Sequence, residues 1–77
     1  MSRPVKRSFT IAGHRTSISL EAAFWDALKA VAATERVPVA RLIGRIDATR
    51  GVGGLSSAVR VWVLQHFRDL ARRPGRT

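Results

Sequence analysis

Apolar and polar residues alternate at every second position on either side of Gly13, across the stretch from Ser8 to Leu20. Phe9 and Ile11 alternate with Ser8 and Thr10; further on, Thr16, Ile18 and Leu20 alternate with Arg15, Ser17 and Ser19. This is the period of a half-buried strand. A glycine inside such a pattern marks a bulge or bend, so one bent strand or a short hairpin fits equally. At Leu20 the period changes. Phe24, Ala27, Leu28 and Val31 recur at helical spacing in an alanine-rich stretch with Glu21 and Asp26 near its start, which predicts a helix to about Arg36. It stops near Val37, because Pro38 disfavours helical geometry in the residue before it.

Pro38 suits the first position of a second helix, where a missing N–H costs nothing. Val39, Leu42, Ile43 and Ile46 form its apolar stripe, Arg41, Arg45 and Arg50 lie elsewhere on its surface, and Gly51 ends it. Gly51 to Gly54 reads as a loop. A third amphipathic segment follows, with Ser56 or Ser57 as N-cap and Leu55, Val59, Val63, Phe67 and Leu70 on one face. Arg68, Arg72 and Arg73 enrich its end in positive charge, and Pro74 and Gly75 close it. The reading is a mainly α domain with one short strand, spanning residues 8–73, between a basic flexible arm at 1–7 and a disordered tail at 74–77. The arm is either a frayed terminus or a segment whose Lys6 and Arg7 track DNA phosphates.

Size alters this picture. A chain of 77 residues buries only about 60% of its unfolded surface. With no cysteine it has neither disulfide staples nor thiolate metal sites, so a homodimer is the usual route to more core. A lone strand needs hydrogen-bond partners along its edge. The simplest partner is the same strand of a second copy, antiparallel across a two-fold axis. Ile18, Leu20, Phe24, Leu28, Leu42 and Ile46 would then build the dimer core.

Charge narrows the partners. Fourteen Lys and Arg face five Asp and Glu, for a net charge of +9. This favours a polyanion: nucleic acid, an anionic membrane or an acidic protein. Met1 to Arg7 is basic but no long apolar run follows it, and no window is apolar enough to span a bilayer, so the reading is cytoplasmic with no membrane partner. Alternation turns Arg15, Ser17 and Ser19 outward together. A major groove about 12 Å wide admits a two-stranded ribbon; arginine pairs with guanine O6 and N7, and serine with most bases. The plain alternative is a solvated strand face.

His14-Arg15-Thr16-Ser17-Ile18-Ser19-Leu20, followed by Glu21 to Val37 and Pro38 to Ile46, resembles ribbon-helix-helix DNA-binding proteins such as the Arc and methionine repressors. The chain looks closest to small bacterial ribbon-helix-helix proteins of unknown role, over about residues 6–70. The resemblance implies base reading by Arg15, Ser17 and Ser19, and a DNA phosphate held by the backbone N–H groups of Val39 and Ala40, an arrangement suited to a helix N-terminus. Pro38 and Val37 stand where many relatives have a polar cap; Arg41 or Arg36 would supply the missing anchor. Ordinary members end after the second helix. The Gly54 to Val59 segment itself looks like the opening of that helix, and under this register the phosphate site moves to Ser56 and Ser57.

Nothing forms a catalytic set: no nucleophile, base and orienter cluster near Ser56 and Ser57, and Asp47 and Asp69 lack a paired acid. The glycines at 51, 53 and 54 lack the lysine of a phosphate loop. His14 and His66 are lone histidines, so neither an enzyme nor a metal or other cofactor is expected. Trp25 and Trp62 read as core or rim. The principal functional reading is a sequence-preferring regulator, a repressor or an antitoxin-like protein, that binds double-stranded DNA. The alternative is a dimeric protein-interaction module that docks a partner through Trp62 and Phe67 on the third helix. Membrane attachment is weaker, since the third helix needs its apolar face for the core.

Overall fold

The computed structural model describes residues 3–72. Two strands, β1 (Val5–Ile11) and β2 (His14–Leu20), precede three helices, α1 (Ala22–Glu35), α2 (Val39–Thr49) and α3 (Leu55–Arg72). The strands form an antiparallel ribbon with Ile11 opposite His14 and Val5 opposite Leu20. Ala12 and Gly13 join them with φ of 52° and 81°. Positive φ at both central residues is the signature of a type I′ turn, whose twist matches that of the flanking strands.

The chain thus forms the hairpin that the alternation on both sides of Gly13 allowed, with two strands per chain where one short strand was expected. Phe9 and Ile11 carry the alternation back across the turn. A partner two residues away costs far less ordering entropy than one from a separate molecule. The strand also begins at Val5, within the stretch read as a flexible arm. Residues 1–2 and the tail at 74–77 lie outside the described residues, as does Arg73.

The three helices cover the inner face of this hairpin. Ile18 and Leu20 are fully buried, as are Leu28 from α1, Leu42 and Ile43 from α2 and Val59 from α3. Of the six residues assigned to a dimer core, all but Phe24 are thus buried by their own chain, and Phe24 packs half-buried against that core. Trp25 is also buried, its Nε1–H donating to the Val5 carbonyl at 2.9 Å.

Helix boundaries follow local chemistry. α1 ends at Arg36, a left-handed residue whose N–H bonds back to Ala33. Pro38 is the N-cap of α2 rather than its first residue. In α3 the Ala58 N–H reaches the Gly54 carbonyl, so the helix starts at Leu55, ahead of the serines expected to cap it. Ser56 bonds to the ribbon instead. Among the described residues no helix is long and apolar enough to cross a membrane.

Candidate nucleic-acid interface

The pleat sorts the ribbon into two faces. Ile11, Ile18 and Leu20 face the helices, with Phe9 half-buried beside them. Lys6, Ser8 and Thr10 of β1 lie directly opposite Ser19, Ser17 and Arg15 of β2 and share the other face. Five of these six are exposed, and Ser19 is partly so. The Ser8 and Ser17 hydroxyls are 3.2 Å apart. Neither strand contains an acidic residue. The face thus presents two cations and four hydroxyls on a rigid, two-stranded support.

The sequence picked out Arg15, Ser17 and Ser19, and the structure brings all three to this surface. It adds Ser8 and Thr10, which alternation within β1 signalled but which a single-strand reading left without a place. Lys6 belongs to the same face. Arg7 does not: it points to the inner side, where its guanidinium lies over the Trp25 ring, 5.4 Å from the centroid.

A helix N-terminus lies along each strand. Val39 shares a shallow depression with Arg7, Phe9, Trp25 and Lys29, which sets the start of α2 beside β1. The N–H groups of Arg41 and Leu42 both bond to the Pro38 carbonyl, which leaves those of Val39 and Ala40 open. Arg41 is exposed on the same turn. The start of α3 lies beside β2, where Ser56 Oγ accepts the Ser19 N–H at 3.0 Å. Such N-termini carry partial positive charge and open donors, which suits anions.

Arg60, one turn further along α3, donates to the Ser19 carbonyl at 3.2 Å and to Glu21 Oε1 at 3.0 Å. Its guanidinium also lies over the Phe24 ring. Hydrogen bonding to Arg60, reinforced by Glu21's own backbone, holds the Glu21 carboxyl below its ordinary value of 4.5. Sequence reasoning missed this cluster, because its members lie 37 to 41 residues apart.

Trp62 and Phe67, the expected partner-docking pair, line different surfaces. Trp62 stacks on His66 and lines a groove of about 470 Å³ with the Gly51–Gly54 loop. Phe67 lines a second groove with Ala30 and Thr34.

A family model described as the ribbon-helix-helix domain matches residues 4–67. No curated protein and no solved structure matches the chain.

Proposed function

The chain belongs to the ribbon-helix-helix domain family, and from that membership we propose that it is a sequence-preferring DNA-binding regulator whose hairpin enters the major groove. The family is one of DNA-binding regulators that generally act as dimers. The observation that carries the reading for this chain is the acid-free outer face of Lys6, Ser8, Thr10, Arg15, Ser17 and Ser19. A two-stranded ribbon fits the major groove, and its side chains there meet base edges. Arg15 is the candidate for guanine, and Ser17 and Ser19 are the candidates for less restrictive contacts.

Phosphate contacts position such a ribbon and base contacts specify its site. Strands of the DNA backbone flank an inserted ribbon on both sides. We assign one phosphate to the Val39 and Ala40 amides, with Arg41 beside them, and Lys6 to the backbone nearest β1. The start of α3, near Ser56, is placed to serve the opposite wall, so the two registers considered for the second family helix supply one anchor each. Arg7, occupied by Trp25, contributes general positive field more than a specific contact. The role is binding without catalysis, in a homodimer that acts as a repressor or antitoxin-like partner in a bacterial cytoplasm.

The test is a gel shift on the DNA just upstream of the chain's own gene, repeated across salt. Affinity that falls with a log–log slope near −0.9 per neutralised phosphate supports the reading. Equal affinity for all sequences at every salt concentration contradicts it. The protein-interaction alternative draws on the exposed Val61, Leu64 and Phe67 of α3, at 58%, 55% and 41%. A purified chain that ignores DNA at low salt but retains a partner protein would favour it.

A further inference from the structure

A two-stranded sheet has two outer edges, and an unpaired edge invites a strand from another molecule. Ile11 and His14 flank a two-residue turn and form a hydrogen-bonded pair, so the alternation turns the N–H and C=O groups of Arg15 and Ser17 away from β1. Both residues are exposed, and among the described residues no third strand lies beside them. The edge along β1 is defended: Pro4 lacks an N–H, and Lys6 and Arg7 place charge on the strand. A second copy that adds along β2, antiparallel, gives a sheet in the order β1, β2, then β2 and β1 of the partner.

Four strands are too wide for a groove that two strands fit. With neighbours about 4.8 Å apart and the two-fold axis between the β2 strands, each β2 lies about 2.4 Å from the midline and each β1 about 7 Å. The major groove is about 12 Å wide, so its walls stand about 6 Å from that midline. β2 falls inside the groove and β1 against its wall. The start of α2 points the same way: with the open amides of Val39 and Ala40 it lies on the β1 side of the ribbon, where its anion-seeking end meets the same wall. A hairpin alone would leave the far wall to the start of α3; a paired copy brings its own β1 there.

We propose that the two strands of the hairpin divide the work: β2 alone reads bases, and β1 grips the phosphates of the groove wall, with Ser8 and Thr10 donating their hydroxyl protons to phosphate oxygens beside Lys6. This rests on the DNA-binding reading and assigns a task to the two outer-face residues that it leaves without one. Serine and threonine hydroxyls commonly bond the DNA backbone, and such contacts position a protein without reading sequence. Lys6, Ser8 and Thr10 are all exposed on one face, and neither strand carries a carboxylate to repel a phosphate. The Ser8 hydroxyl, 3.2 Å from that of Ser17, also ties the wall strand to the reading strand.

The probes are a duplex that the wild-type chain selects from a randomised pool and a random duplex of equal length. Thr10→Val and Ser8→Ala are each expected to weaken binding to both by about three- to tenfold, the scale of a lost hydrogen bond, with the salt slope unchanged because no charge is removed. Thr10→Ser, which keeps the hydroxyl, restores affinity. Ser17→Ala instead loses affinity on the selected duplex alone. Ethylation of single phosphates maps the contact: at one phosphate in each half-site it weakens the wild type and costs Thr10→Val nothing further. A Thr10→Val chain that relaxes the preference for one base pair and spares random DNA would put β1 inside the groove and overturn the proposal. Filtered nuclear Overhauser spectra of mixed isotope-labelled and unlabelled chains are expected to show β2 of one copy against β2 of the other; without those contacts the four-strand geometry fails and the proposal with it. A wild type that retains no duplex from the pool at low salt sinks the DNA reading itself, whereas a binding wild type whose Ser8 and Thr10 variants match it on both duplexes sinks only the task assigned to β1.

Discussion

Arg15 lies near the start of β2 and Glu21 just past its end, and each gives a separate expectation. Replacing Arg15 with Ala removes the one outer-face guanidinium of that strand and is expected to cost about 1–3 kcal/mol on a cognate site, with much less effect on random DNA. Competition binding on both sequences measures the difference. Lys6→Ala should instead weaken both alike and reduce the salt slope by about 1, as loss of a phosphate contact does. Glu21 is ionised more readily in the fold than in the unfolded chain, because Arg60 hydrogen-bonds its carboxylate. Its contribution is therefore present above the ordinary value of 4.5 and is lost as pH falls through the lowered one. An acid titration of Glu21→Gln should lack the part of the wild-type destabilisation that falls in that window. At this scale the outward set of β2 was legible, since period two allows only one assignment of faces. The tasks of Ser56 and Arg60 were not: serine near a helix start reads as a cap, and nothing local announces a partner in a distant strand.

Among the elements, the hairpin turn carries the clearest strain. Ala12 holds φ at 52°, a conformation that asparagine tolerates better than alanine, and Asn-Gly is the preferred pair for this turn. Ala12→Asn is expected to stabilise the chain by roughly 0.5–1 kcal/mol, seen as a rise in thermal midpoint with no change in ribbon register. The unusual Ala-Gly pair is also why the second strand was hard to read. The alternation of Phe9 and Ile11 was visible, but without a strong turn signal a bent strand fitted as well as a hairpin, and the need for edge partners pointed to a second copy. The helices were easier. Pro38 and the glycine-rich loop punctuate them, and their apolar stripes at Leu28, Leu42 and Val59 match the buried set.

For the molecule as a whole, one chain supplies its own core. Ile18→Ala empties space at the centre of that core and is expected to cost about 2–5 kcal/mol, a large share of the 5–15 kcal/mol typical of a domain. Denaturant unfolding of both proteins at one fixed chain concentration measures the loss. Composition predicted a small, basic, DNA-seeking domain, but it could not say how the strands were shared, because burial patterns are the same whichever molecule provides the neighbour. The order of the elements has a consequence for biosynthesis. The hairpin leaves the ribosome first, yet the residues that cover its Ser19 side belong to the last helix made. Until that helix emerges the Ser19 end of the nascent ribbon is raw, so chains cut short before Leu55 should be prone to clumping and should depend on chaperones in a way the finished protein does not.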